Sequence, residues 1–160
     1  MKTINFEIEM ENGKVMKGEL YPEVAPITVK NFVQLIENHF YDGLIFHRVI
    51  AGFMIQGGGY DRNLKAKESP AIKGEFYSNG IKNDLLHTRG VLSMARTMIK
   101  DSASSQFFIM HQDAPHLDGE YAAFGKIVEG LDVVDEIANT PTGYQDVPIQ
   151  LQVIKEMRLL

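Results

Sequence analysis

Apolar and polar side chains alternate from the start of the chain, with Ile4, Phe6, Ile8 and Met10 separated by Asn5, Glu7 and Glu9. A period of two is that of a half-buried β-strand. Asn12-Gly13 supplies a hairpin turn, because both residue types accept positive φ. Residues 15–20 are the expected partner strand, and Pro22 and Pro26 end it. The period then lengthens. Val29, Phe32, Val33, Ile36 and Phe40 recur at helical steps, the apolar stripe of an amphipathic helix that Asp42-Gly43 should close. Short alternating or apolar runs follow at 45–50, 53–56, 91–95, 106–110 and 122–127, most of them bounded by Gly, Pro or Asp. Gly130-Leu131-Asp132 opens a second helix. Asp132 is its expected N-cap, with Asp135 as the partner in a capping box. Val133, Val134 and Ile137 form its apolar face, residues 139–143 stop it, and residues 149–160 hold a last strand. Many short strands and two helices far apart in sequence predict a mainly β fold, an antiparallel barrel with helices plugging its ends. No repeat, low-complexity tract or linker interrupts it, so residues 1–160 are expected to form one domain.

Composition narrows the function classes. A net charge of -5 and a pI near 5.5 argue against a general nucleic-acid binder, which needs a basic face to displace counterions. The absence of cysteine excludes disulfides, thiolate catalysis and Cys-based zinc sites, and fits a reducing compartment. The start runs straight into the alternating pattern without a signal-peptide core, and the apolar runs are too short to span a membrane. The expectation is a cytoplasmic monomer with no membrane partner. His39, His47, His87 and His111 lack the spacing of a zinc motif, so no metal site is expected. Gly57-Gly58-Gly59 is not followed by Gly-Lys-Ser/Thr and is no phosphate loop; it reads as a place of close backbone approach. Ser102-Ala103-Ser104-Ser105 lacks the Gly-x-Ser-x-Gly elbow of a serine nucleophile.

The densest chemistry lies between Phe46 and Gly58. Within nine residues the chain places a guanidinium (Arg48), two large apolar side chains (Phe53, Met54) and an amide (Gln56). Folded as strand, Gly turn and strand, these can share one surface. A fixed cation beside an apolar pocket suits a neutral ligand with a polar joint, such as an X-Pro peptide. Read alone, Arg48 would be a surface ion-pair residue, the apolar residues plain core, and Gln56 a buried amide serving the barrel backbone.

Other blocks reverse those readings: Ser93-Met94-Ala95-Arg96, Ser105-Gln106-Phe107-Phe108-Ile109, His87-Thr88-Arg89-Gly90, Leu117-Asp118-Gly119 and Phe124-Gly125-Lys126. In this order and spacing they resemble the cyclophilins, peptidyl-prolyl cis/trans isomerases, and Ser93 to Thr97 resembles bacterial members. The resemblance implies a closed eight-stranded antiparallel β-barrel capped by two α-helices, and an enzyme without cofactor or metal. It implies that Arg48, Phe53 and Gln56 are catalytic, and that Met54, Ala95, Arg96, Phe108, His116, Leu117 and Tyr121 bind substrate. Ala95 and Arg96 are expected on an exposed edge, offering backbone hydrogen bonds to the residue before proline, with the Arg96 side chain in solvent. Phe107 should point away into the core by strand alternation. The implied partners are proline-containing peptides and unfolded or partly folded proteins.

Two departures stand out. His116 occupies the place where the best-known cyclophilins carry the tryptophan that helps hold cyclosporin, so weakened cyclosporin affinity is expected. Residues 60–72 lack the family's usual Gly-rich loop. The alternatives are a non-catalytic module that binds Pro-containing segments and, less well supported, a metallohydrolase. The intact Arg48, Phe53, Gln56 and Phe108 favour the isomerase.

Overall fold

The computed structural model describes residues 2–160. Its strands are β1 (Ile4–Met10), β2 (Val15–Leu20), β3 (Arg48–Ile50), β4 (Met54–Gly57), β5 (Val91–Met94), β6 (Phe107–Met110), β7 (Ala123–Glu129) and β8 (Ile154–Leu159), with helices α1 (Pro26–Glu37) and α2 (Leu131–Ala138). The strands form one antiparallel sheet in the order β3-β4-β6-β5-β7-β2-β1-β8. The sheet curls until its ends meet ahead of β3. Ile45 bridges Val153, the Phe46 N–H donates to the Gln152 carbonyl (3.0 Å), and the Ile154 N–H donates to the Leu44 carbonyl (2.8 Å). The seam is an isolated bridge, not a ladder.

The alternation of β1 buries Phe6, Ile8 and Met10, and α1 lays Val29, Phe32, Leu35 and Ile36 over the inside of the curl. Phe32 is the hub. Its ring meets Phe6 (5.7 Å), Phe107 (5.4 Å), Phe124 (4.9 Å) and Tyr41 (5.3 Å), mostly edge to face. The start of α1 has Pro26 at its first position and no side-chain cap of its own. The buried carboxylate of Glu75 takes that place, accepting from the Thr28 N–H (2.7 Å) and the Thr28 hydroxyl (2.8 Å).

Several boundaries differ from the sequence reading. Helix α1 ends at Glu37, with the Asn38 N–H closing on Gln34 and Ile36. His39 then takes a positive φ, so Phe40 lies outside the helix although it packs on the core. The run at 45–50 is not one strand, because Ile45 serves the seam and only Arg48–Ile50 joins the β4 ladder. Residues 149–153 precede β8 as irregular chain. The capping box of α2 does not form. Gly130, at φ +89°, occupies the N-cap without a side-chain bond, Asp132 sits inside the first turn, and Asp135 turns to Arg89 and His111. Gly130 is required because a Cβ there would lie 2.5 Å from the Val15 carbonyl oxygen.

Candidate active site

Register places the site. Arg48 on β3 pairs with Gln56 on β4, Gln56 with Phe108 on β6, and Phe108 with Ser93 on β5. Residues opposite one another in a sheet share a face, so these four form one row across its outer surface. Met54 precedes Gln56 by two and Met110 follows Phe108 by two, which puts both beside the row. The Gly triplet lets other backbone approach the end of β4. A Cβ at Gly57 would lie 2.7 Å from the Ile45 carbonyl oxygen, and one at Gly58 2.7 Å from the Tyr41 ring.

Over this row lies a small cavity of about 140 Å³, lined by Arg48, Phe53, Met54, Gln56, Arg96, Phe108, Leu117 and Tyr121. The Arg48 Nη1 donates to Gln56 Oε1 (3.3 Å), and Gln56 Nε2 donates to Gln106 Oε1 (3.0 Å). That relay fixes which end of the Gln56 amide faces the guanidinium. No carboxylate pairs with Arg48 among the described residues. The guanidinium, which lines the cavity, therefore keeps hydrogen-bonding capacity to spare. Beneath it His47 packs its ring on Tyr60 (4.6 Å), and burial, with Arg48 adding to it, lowers its pKa to about 4.

The floor is held from behind. His87, buried, stacks on Phe108 (6.0 Å, 20° between planes). Its Nδ1–H donates to Asp118 Oδ1 (3.1 Å) and its Nε2 accepts from the Ser93 hydroxyl (2.8 Å). Burial lowers the His87 pKa while Asp118 opposes the shift, so the ring is held neutral.

The predicted residues divide. Eight line the cavity. Ala95 lines instead an adjoining cavity of about 360 Å³, in which Arg96 and Gln106 also take part. Ala95 follows β5, which runs between β6 and β7, and its own N–H donates to the Gln106 carbonyl (3.0 Å). The expectation of a free strand edge there is corrected: the Ala95 N–H is occupied by the sheet itself. The Arg96 side chain is not loose in solvent either. Its guanidinium donates to the Glu120 and Thr97 carbonyls and lies between the Phe76 ring (4.7 Å) and the Tyr121 ring (4.6 Å). His116 stays exposed outside the cavity, its ring against Phe53 at 5.8 Å.

Sequence reasoning missed Gln106. It had a signal, since Gln106 precedes Phe108 by two and so shares its side of the strand. His111, whose ring meets the turn before Phe53, carried no such signal.

Known proteins resemble this chain throughout. A family model for cyclophilin type peptidyl-prolyl cis-trans isomerase/CLD matches residues 5–159. A peptidyl-prolyl cis-trans isomerase of Acinetobacter baylyi is 53% identical over 157 residues, covering 91% of this chain and 81% of the relative. Peptidyl-prolyl cis-trans isomerase B of Escherichia coli is 43% identical over 150 residues, covering 86% and 88%. The crystal structure of a Cryptosporidium parvum cyclophilin type isomerase superposes with a TM-score of 0.84 at 30% identity, covering 99% of this chain and 98% of that one. The structure of that protein in the presence of the dipeptide Ala-Pro gives 0.82 at 31% identity, covering 98% of each.

Proposed function

The chain belongs to the cyclophilin type of peptidyl-prolyl cis-trans isomerases and has that activity (EC 5.2.1.8), and on this premise we propose how its own residues perform it. Its substrates are proline-containing peptides. Rotation about an X-Pro bond must break amide resonance, against a barrier of about 18–20 kcal/mol. No covalent bond to the substrate need form. In the twisted amide the prolyl nitrogen recovers a lone pair that the planar amide lacks. A donor fixed beside that nitrogen binds the twisted state better than the planar one, which is differential transition-state binding by a preorganised charge.

Arg48 is that donor. The observation that carries this reading is the Arg48 Nη1 bond to Gln56 Oε1 (3.3 Å) at a cavity that Phe53, Met54, Phe108 and Leu117 also line, with no carboxylate engaging the guanidinium among the described residues. Arginine remains charged at every working pH, as suits a reaction with no net proton transfer. Phe53, Met54, Phe108 and Leu117 hold the proline ring while the rest of the peptide turns. Gln56, oriented by Gln106, exchanges hydrogen bonds with the substrate backbone. The cavity of about 140 Å³ suits one small ring. With the Ala95 N–H engaged in the sheet and both Thr97 backbone groups taken by Ser102 and Arg96, the Ala95 carbonyl and the Arg96 backbone are what this segment offers the residue before proline.

Unfolded and partly folded proteins are the proposed larger substrates, residues 1–160 acting as a single isomerase domain. Cyclosporin is proposed to bind weakly, because His116 offers a smaller face than an indole. The test is a protease-coupled isomerisation assay of wild type against Arg48→Ala. Severe loss of turnover in a folded variant is expected, and near wild-type catalysis would remove Arg48 from this role.

A further inference from the structure

The hairpin between β3 and β4 carries Arg48 on one side and Phe53 on the other, so its tip bears on both. The tip closes as a turn, the Phe53 N–H donating to the Ile50 carbonyl (3.0 Å), with Gly52 at φ +81°. Such a turn leaves the N–H of its third residue without a partner inside the turn. Here that Gly52 N–H donates to His111 Nδ1 (2.8 Å). The backbone N–H of the same His111 donates to the Phe53 carbonyl (2.9 Å). One residue beyond β6 thus grips the tip at two consecutive positions.

His111 is itself braced. Its Nε2 lies 3.0 Å from Asp135 Oδ1 on α2. Arg89 holds both oxygens of that carboxylate (2.7 and 2.9 Å) and also donates to the His111 carbonyl (3.0 Å). The Arg89 guanidinium lowers the Asp135 pKa, keeping it an acceptor. These directions set the tautomer. An N–H aimed at Nδ1 requires a lone pair there, so the ring hydrogen is on Nε2 and points at Asp135.

We propose that His111 is a positioning residue of the isomerase: it holds the turn at 50–53, and through it the Phe53 ring, in the place the proline pocket requires. The inference rests on the reading of Phe53 as a wall of that pocket. It gives α2, none of whose residues lines the cavity, a hydrogen-bonded line of support to the site through Asp135 and the His111 ring.

Two isosteric variants separate the ring's two bonds. In His111→Asn the amide oxygen stands near the place of Nδ1 and can still accept from Gly52, but nothing reaches Asp135. In His111→Gln the longer amide reaches Asp135 as a donor and leaves the Gly52 N–H without its acceptor. We expect His111→Asn to keep kcat/KM within about twofold of wild type while its Tm falls. We expect His111→Gln to hold its Tm nearer wild type yet lose roughly fivefold in kcat/KM, the scale of one neutral hydrogen bond. Equal kcat/KM in the two variants, or a better Gln variant, would overturn the inference, since a purely structural role gives no reason for activity to follow the Gly52-facing nitrogen. Amide exchange in the unmodified protein gives a second measurement that needs no variant. The Gly52 amide belongs to an exposed residue and should nonetheless be protected; exchange at the rate of an open loop would count equally against it. Phe53→Ala, run alongside, tests the underlying premise. Full activity in that variant would refute the pocket assignment, whereas loss of activity there with equal Asn and Gln variants would refute only the role of His111.

Discussion

Phe107 and Phe108 stand side by side on β6 and face opposite sides of the sheet. Phe107 is fully buried in the larger core, edge to face with Phe32, Tyr41 and Phe46. Phe108 belongs to a smaller cluster with Met54, Val91, Met110, Ala114, Leu117 and Ala123, which Phe53, Ala95 and Tyr121 cover only in part. Its ring has His87 behind it and Tyr121 at its edge, and its remaining face opens on the cavity. Inside the curl, aromatic rings pack edge to face on one another, and the result is stability. Outside it, a similar ring is held by polar groups from behind so that one face stays free, and the result is a binding surface. Burial alone does not distinguish the two, since Phe108 is only 5% exposed.

The largest test of this contrast is the pair of truncations. Phe107→Ala should lower unfolding free energy by about 3–5 kcal/mol. Phe108→Ala should cost clearly less stability and far more isomerase activity. Urea midpoints and turnover measured on both proteins decide it, and equal stability losses would erase the distinction. Next comes Arg48→Ala. Loss of one preorganised donor costs roughly 2.7–4 kcal/mol in comparable sites, two to three decades in turnover. Its urea midpoint should stay near wild type. Arg48→Lys should also be impaired, because a compact ammonium does not reproduce the planar fork.

A smaller effect is expected at the rim. His116→Trp should tighten cyclosporin binding by about thirtyfold, roughly 2 kcal/mol, through a larger face beside Phe53. Turnover of short Pro peptides should change much less. Equal drug affinity in the two proteins, measured by paired titration, would take His116 out of the rim. The smallest effects are those of pH. Turnover should be nearly flat between about pH 6 and 8, because arginine does not titrate there. Stability should behave differently. The folded pKa of His47 is about 4, below its unfolded value near 6.5. Between those values the unfolded chain binds a proton that the folded chain does not, so stability falls as pH falls from about 6.5 to about 4. His47→Phe should make that slope shallower, and an unchanged slope would remove His47 as a cause.

The same contrast explains what could be read from the sequence. β1 and β2 were legible because alternation and Asn-Gly are local signals, and α1 because Val29, Phe32, Val33 and Ile36 repeat at helical steps. Alternation puts Phe107 and Phe108 on opposite sides of the sheet, and the resemblance says which of them faces the site. The seam was not legible, since nothing local in residues 44–46 says that they meet residues 152–154. The Asp132-Asp135 capping box failed for a related reason. Asp135 has distant partners, Arg89 and His111, that are stronger than the local N–H it was assigned. At the site, the residue types alone read as surface and core, the resemblance pointed to the chemistry, and the supports did not announce themselves. Arg96 was expected in solvent because arginine usually is; Phe76 and Tyr121, far from it in sequence, hold it between them.

The pairing of β8 with β1 has a consequence for how the protein is made. Arg158 reaches back to Glu9, 149 positions earlier, and its strand covers one side of β1. At about 5–20 residues per second a ribosome needs on the order of ten to thirty seconds to add that much chain. During that interval β1 can find β2, but its other edge has no partner, and Phe6, Ile8 and Met10 have only part of their cover. The nascent chain therefore exposes a ready strand edge until nearly the last of these residues has left the ribosome. A prolyl isomerase, in its own synthesis, passes through the kind of half-paired state in which unfinished proteins most readily stick to their neighbours.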